Sequence, residues 1–293
     1  EEHIDIIDCH NAVIGVYARL AAARCNVRKV VYTPHSFFFY KGCPFKNVLI
    51  FKPVERLMAH FTDVLVAINR EDYAAARSMK VRGHALYVPG VGVDVDAIRK
   101  MPVERERYRK NLRLPTDARI FVSVGELIPR KNHETAIRAF AAANMENAYY
   151  VICGIGALKD DLQKLIDSLN MHDRIRLLGY RLDAKELMKA CDVFLFPSIQ
   201  EGLPVALMEA MAGGLPCIVS SIRGNVDLIE PDKGGSLFNP HDIVTLTQLI
   251  TKYANDHYLC AELGKYNSKR IEEFDIHNVQ RIMTKEYTQL IKE

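Results

Sequence analysis

Short apolar runs alternate along the chain with longer stretches whose apolar residues recur at helical spacing. Four runs fall in the first part: DIIDCHN (5–11), KVVYTPH (29–35), DVLVAIN (63–69) and ALYVPGV (85–91). Between the first two lies VIGVYARLAAARC, apolar at intervals of three and four. A longer amphipathic stretch, NVLIFKPVERLMAHF (47–61), precedes the third. A second series follows: RIFVSVG (119–125), AYYVICG (148–154), RIRLLG (174–179), DVFLFPS (192–198) and PCIVSS (216–221), each separated from the next by a helical pattern. Runs that are apolar throughout suit parallel strands covered on both faces. Strand–helix alternation in two groups predicts an α/β chain of two doubly wound, Rossmann-like domains rather than one barrel. The Gly- and Pro-punctuated PGVGVD (89–94) reads as a hinge, which sets domains at 1–93 and 94–275. After FDIH, the amphipathic NVQRIMTKEYTQLI is long enough to return across that hinge, so 276–293 is expected to pack on the first domain.

Composition removes several classes. With 49% apolar and 26% charged residues, the 293-residue chain is neither disordered nor fibrous. No apolar run approaches the ~18–20 residues of a membrane-spanning helix. The seven cysteines are odd in number and scattered, without C-x-x-C spacing. That pattern argues against a disulfide framework or a zinc site, and for a reducing cytoplasm. Residues 1–93 carry twelve Lys/Arg against eight Asp/Glu, whereas 94–275 carry twenty-four against twenty-six. The mildly basic first part would favour an anionic membrane surface or a phosphorylated ligand, although solubility alone also explains it.

The strongest local signal is EGLPVALMEAMAGGLPCIVSS (201–221). Pro204 suits a first helical position and Gly213-Gly214 a helix end. Glu201, Gly202 and Leu203 then form a loop feeding a helix N-terminus, where free N–H groups and the helix dipole favour an anion. Glu209 follows roughly 7–8 Å further along the axis. Two carboxylates flanking such a site would bracket a phosphorylated sugar; the plainer alternative is a solvated helix with surface glutamates. Gly154-Ile155-Gly156 is not a dinucleotide fingerprint, because Lys159 occupies the third glycine position. It reads instead as a tight turn allowing close backbone approach to a donor. Asp94-Val95-Asp96 reads as a helix cap rather than a metal-binding D-x-D pair.

These blocks resemble the family 4 glycosyltransferases, retaining enzymes of the GT-B fold, and most closely those that build bacterial capsular polysaccharide or exopolysaccharide. The resemblance is carried by VSVGELIPRKN (122–132), VICGIGALKDDL (151–162), RIRLLGYRLDAKELMKACDVFLFPS (174–198) and Glu201 to Glu209, with YTPHSFFFYKG (32–42) and VPGVGVD (88–94) upstream. It implies two Rossmann-like domains facing a cleft, with the second binding a nucleotide sugar and the first facing the acceptor. On this resemblance Glu209 meets the donor ribose, and Glu201 lies near the sugar hydroxyls and the reacting centre. The backbone of Gly202, Leu203 and Pro204 meets sugar and phosphates, Lys131 pairs with the diphosphate, and Arg181-Leu182 recognises the base. Gly125 and Gly154 fall on the donor side. His35, at a strand end, matches a histidine lining the sugar site; His10, at another, is a weaker candidate. Many family members carry Arg where this chain has Glu126, leaving Arg130 to supply a second diphosphate contact.

The resemblance implies retaining transfer of a hexose unit from a nucleoside-diphosphate sugar, UDP-linked, to a saccharide or polyprenyl-linked acceptor in surface polysaccharide synthesis. No cofactor, metal or nucleic acid is expected. The expected location is cytoplasmic, at the inner face of the plasma membrane with peripheral membrane contact. Two alternatives stay open: a GT-B sugar-nucleotide epimerase, and a protein that binds nucleotide sugar without turnover. The stretch from Phe37 to Phe61 mixes aromatics with Lys41, Lys46, Lys52 and Arg56. It suits a bilayer or lipid-linked acceptor, or equally a core-facing helix with a basic rim. Finally, 1–93 is short for a first domain of this family, so its initial segment is expected to be missing. The apolar faces around Val30, Val31, Val64 and Val66 are then expected to be uncovered.

Overall fold

The computed structural model describes residues 3–292, which divide into two units. The first comprises the chain up to Gly92, Glu201–Leu203 and the segment from Ile276 onward; the second comprises Val93–Gln200 and Pro204–Asp275.

In the first unit the chain order is β1 (Ile6–His10), α1 (Ala12–Arg24), β2 (Lys29–Thr33), α2 (Phe45–Met58), β3 (Val64–Ala67), α3 (Arg70–Arg77) and β4 (His84–Tyr87). The four strands form a parallel sheet in sequential order. Alternation of side chains across the pleat makes two cores. Val30, Tyr32 and Leu65 join Cys9, Phe37, Phe39 and Ala59 on one face. Val31, Val64 and Val66 join Val88 and Leu290 on the other. Val30, Val31, Val64 and Val66 are therefore no more than 2% exposed, contrary to the expectation that they would lie uncovered. Loops and helices cover one face, and the C-terminal segment covers the other.

Under α2 lies a buried charge network. The Arg19 guanidinium meets Glu55 Oε2 at 3.0 Å and stacks 3.7 Å from the Tyr32 ring centroid. The Tyr32 hydroxyl donates to Glu55 Oε1 at 2.7 Å, and Arg19 Nε donates to the Gly15 carbonyl. Gly15 is required here, because a Cβ would run into the Tyr32 ring.

The second unit runs α4 (Val95–Lys100), α5 (Arg105–Asn111), β5 (Arg119–Val124), α6 (His133–Ala143), β6 (Ala148–Cys153), α7 (Lys159–Ser168), β7 (Ile175–Gly179), α8 (Ala184–Ala190), β8 (Val193–Phe196), α9 (Val205–Ala212), β9 (Cys217–Ser220), α10 (Asn225–Leu228), β10 (Gly235–Phe238), α11 (Ile243–Asn255) and α12 (His257–Arg270). Its parallel sheet has the order β10-β9-β8-β5-β6-β7, so the winding reverses between β5 and β8. Helix starts are set locally: the side chains of Asp94, Asp242 and Asp256 accept from Ala97, Thr245 and Leu259 N–H groups. Asp94 is thus a cap. Asp192, just before β8, accepts from Ile120 N at 2.7 Å and from the buried Arg109 at 2.7 Å, fastening α5 beneath the sheet.

Three details differ from the sequence reading. The sixth strand, β10, is hidden by its sequence, since Gly234-Gly235 resembles a turn. Gly235 is needed because a Cβ would overlap the Cys217 carbonyl of the neighbouring strand. Pro204 is the residue before α9 rather than its first, with φ −77° and ψ 120°. Glu201–Leu203 group with the first unit because the chain at Gly202 touches the backbone of His35. The final helix, α13 (Ile276–Lys292), supplies Val279, Ile282, Met283, Tyr287 and Leu290 to the first unit's second core.

Glu55→Ala should destabilise the first unit by about 3–5 kcal/mol, because it leaves the Arg19 guanidinium buried without its counter-charge. Urea denaturation followed by circular dichroism measures this. Arg19→Met combined with Glu55→Met should recover most of the loss, and an unchanged midpoint in Glu55→Ala would show that the pair contributes nothing.

Candidate active site

In doubly wound sheets, ligands gather beyond the carboxyl ends of the strands where the winding reverses. In the second unit that place lies beyond Val124 of β5 and Phe196 of β8. Its floor is backbone: Gly125 N donates to the Cys153 carbonyl at 2.9 Å, and Gly154 N to the Gly179 carbonyl at 2.8 Å. A Cβ on Gly154 would overlap the Gly125 carbonyl oxygen. Gly154 is therefore dictated by the approach of its own chain.

Gly125 lies against a side chain. A Cβ there would stand 3.4 Å from Cδ and Cε of Lys131, which folds back across it. The ammonium of Lys131 lies 5.1 Å from the centroid of the Phe196 ring at the end of β8. Lys131 thus crosses from the β5 loop to the β8 end and places a positive charge at the reversal point. Its neighbour Arg130 donates to the Gln200 carbonyl at 3.0 Å and lies 3.8 Å from Glu126 Oε2. Much of its charge is committed to holding two loops together.

Pro204 offers no side-chain cap to α9, so the N–H groups of its first turn have no capping side chain. Glu209, one turn further on, meets Lys185 Nζ at 3.1 Å and is mostly buried. Arg181 makes a two-pronged contact with Asp183 at 2.8 and 2.5 Å, which lowers the Asp183 carboxyl below its ordinary range. Leu182 between them is 90% exposed.

In the first unit, His10 Nδ1 and His35 Nε2 are 2.9 Å apart. His10 Nε2 lies 3.4 Å from Asp8 Oδ2, which also accepts from the Tyr287 hydroxyl of α13. One ring nitrogen of this histidine pair donates and the other accepts, the direction following the tautomers of the two rings. Burial and the neighbouring His10 hold the His35 pKa below its usual value, against a smaller opposing effect of Asp8. His35 has φ 59°, a left-handed turn at the end of the β2 run. A Cβ on Gly202 would strike the His35 carbonyl, which accounts for glycine there, and Glu201 and Leu203 on either side are buried.

The structure therefore gathers Gly125, Arg130, Lys131 and Gly154 around the β5 end, while Glu209, Arg181 and Leu182 lie on neighbouring elements. His10, His35, Glu201, Gly202 and Leu203 belong to the first unit. Sequence reasoning missed Asp8, Tyr287 and Lys185, which no local pattern marks. It also missed His133, for which a signal exists: it shares the i, i+3, i+4, i+7 phase of the buried Ala136, Ile137 and Phe140. Among the described residues, no group of three His, Cys, Asp or Glu side chains is arranged to hold a metal ion.

Comparison with known proteins decides the family. Residues 104–270 match the family described as glycosyl transferases group 1. The chain belongs to this family. It is 34% identical over 276 residues to a Bacillus subtilis (strain 168) protein named as the glycosyltransferase EpsD, covering 92% of this chain and 72% of that one. It is 31% identical to an Escherichia coli UDP-Gal:alpha-D-GlcNAc-diphosphoundecaprenol alpha-1,3-galactosyltransferase, covering 94% and 73%. Among solved structures, Anabaena Alr3699/HepE in complex with UDP aligns with a TM-score of 0.86 at 20% identity, covering 97% of this chain and 79% of that one. At that identity the likeness establishes the fold, which is GT-B. As a member of glycosyl transferases group 1, the protein is a glycosyltransferase.

Burial, reinforced by the nearby Lys131 charge, lowers the His133 pKa from 6.5 to about 4. The unfolded chain therefore takes up a proton between pH 6.5 and 4 that the folded chain refuses. The contribution of neutral His133 is complete above pH 6.5 and is lost as the pH falls through that window, by about 3 kcal/mol. Unfolding free energies of wild type and His133→Gln, measured from pH 7.5 to 4, should converge by roughly this amount. Parallel curves would contradict the burial argument.

Proposed function

We propose that this glycosyltransferase moves a hexose from a UDP-sugar to a lipid-linked saccharide acceptor, with retention of anomeric configuration, in the synthesis of a surface polysaccharide. The observation that carries the proposal is Lys131, lying across Gly125 at the strand-reversal point with its ammonium 5.1 Å from the Phe196 ring. A fixed cation and an uncapped helix start are suited to a diphosphate, and their preorganised charge stabilises it most as it departs. The solved HepE complexes with UDP and with UDP-glucose support the donor class. The acceptor class is supported by the galactosyltransferase relative, whose name gives a diphosphoundecaprenol acceptor and an alpha-1,3 product.

In this proposal the Glu209 carboxylate accepts from the ribose hydroxyls. Its two oxygens offer about four acceptor sites, so the Lys185 contact leaves capacity for them. Arg181-Leu182 present main chain to the base, and the Gly202–Pro204 backbone meets the sugar and phosphates. Glu201 and His35 lie on the sugar side. The acceptor hydroxyl attacks the anomeric carbon on the face the diphosphate leaves. The C–O bond to phosphate breaks as the new glycosidic bond forms, and the departing phosphate oxygen takes the hydroxyl proton. A UDP-hexose with an α anomeric bond gives an α product only if configuration is kept. Catalysis then rests on positioning and leaving-group stabilisation.

Glu209→Ala should weaken UDP binding by about tenfold to a hundredfold, the equivalent of ~1.5–3 kcal/mol for a charged hydrogen bond. Glu201→Ala should leave UDP affinity intact and lower kcat. Calorimetric titration with UDP, paired with a transfer assay, separates the two, and equal UDP affinity in wild type and Glu209→Ala would refute the ribose assignment.

Transfer should also persist after exhaustive EDTA treatment, since Lys131 offers fixed positive charge to the diphosphate. Activity abolished by EDTA and restored by Mg²⁺ or Mn²⁺ would require a metal role and a different account of the leaving group.

A further inference from the structure

At the amino ends of the second unit's central strands lies a cavity that the donor site does not use. Arg119 opens β5, Asp192 precedes β8 and Pro216 precedes β9, and all three line it. It therefore sits at the opposite end of the sheet from the strand-reversal point, separated by the length of β5, roughly 17 Å at ~3.3 Å per residue. Its volume is about 300 Å³, and Arg105, Lys189, Leu215 and His257 also line it, among others.

The charges around this cavity do not balance. Asp192 is the one carboxylate in its lining, and three guanidinium groups share it. Arg105 meets Oδ1, the buried Arg109 meets Oδ2 at 2.7 Å, and Arg119 Nη1 stands 3.5 Å from Oδ1. Three positive charges against one leave an excess of two, and the Lys189 ammonium adds to it. The nearby Asp256 accepts from Leu259 N as the cap of α12. Gathering like charges in a half-buried place is costly unless a counter-ion joins them. Nor are all the donors spent. Lys189 gives its ammonium to the carbonyls of Ile98, Arg99 and Met101 at 2.8–3.0 Å, so it contributes charge and no spare donor. Arg109 is enclosed by the carbonyls of Ala190, Thr116 and Ala118. Arg119 differs: its Nε donates to the Tyr253 carbonyl at 3.1 Å and its Nη1 lies 3.4 Å from His257 Nδ1, but its buried Nη2 has no hydrogen-bond partner. Arg105 is about half exposed.

A phosphate group answers both the charge and the geometry. It carries about −1.5 to −2 near neutral pH, close to the excess of two, where a carboxylate brings a single charge. Its oxygens accept the forked N–H pairs that guanidinium groups present. We infer that this cavity binds a phosphate group, free or carried as an ester, between Arg105, Arg119 and His257. Bound there, it joins α5, β5 and α12 at the base of the sheet. The site lies within the second unit, and neither Lys131 nor Glu209 takes part in it, so it does not depend on the donor assignment.

The test is calorimetric titration of the full chain with inorganic phosphate at fixed ionic strength. Because a donor site would also attract phosphate, the titration is run on Lys131→Gln protein, where binding should persist. Adding Arg105→Gln, or separately Arg119→Gln, should weaken it about tenfold or more, as expected for a lost charge-assisted hydrogen bond. Arg105 is half exposed, so its variant decides the matter even where Arg119→Gln disturbs β5, and circular dichroism reports folding of both. Acetate should bind roughly tenfold more weakly than phosphate, since it carries half the charge. Glycerol 3-phosphate binding as well as phosphate would mark the ligand as an ester, and weaker binding would mark it as the free ion; either supports the site. Phosphate binding that vanishes with Lys131→Gln alone, or that survives undiminished in the Arg105→Gln background, would overturn the inference. Equal affinity for acetate would overturn the phosphate assignment. UDP affinity unchanged by Lys131→Gln would count against the donor reading and leave this one standing.

Discussion

Everything proposed for the donor side depends on the reversal of winding between β5 and β8. Strands β6 and β7 extend the sheet one way, β8 to β10 the other, and the loops leaving β5 and β8 must part. A gap beyond the strand ends follows from topology before any side chain is considered. The chain then lines the gap with backbone. Gly154 admits the Gly125 carbonyl, and the stem of Lys131 lies against Gly125. A side chain at Gly154 would separate the strand ends, whereas a Cβ at Gly125 would meet Lys131 only at contact distance.

The first unit is organised differently, around polar groups taken out of water. Arg19, Glu55 and Tyr32 tie α1, α2 and β2 together at one buried point, where a lone charge would be costly. A second line runs from Tyr287 through Asp8 and His10 to His35. It connects α13 to a left-handed turn at His35.

Much of this was legible in the sequence, for stated reasons. Nine strands could be located because each carries a short apolar run, and that signal is local. The Asp94 cap was legible because its partner lies three residues away. The block from Glu201 to Glu209 marked a helix start because proline and glycine restrict the backbone wherever they occur. His133 falls on the buried phase of its helix, with Ala136, Ile137 and Phe140, and that phase is readable in the sequence.

What the sequence alone determined is whatever depends on neighbours a few residues apart: the alternation of strands and helices, the caps and the family motifs. The tertiary structure decided what depends on residues far apart. It paired Lys185 with Glu209, turned Arg130 toward the Gln200 carbonyl, hid β10 beside β9 despite its glycines, and covered Val31, Val64 and Val66 with α13. These contacts bridge tens to hundreds of residues. No local periodicity encodes them, because each exists only once the sheet has set the distance between its ends.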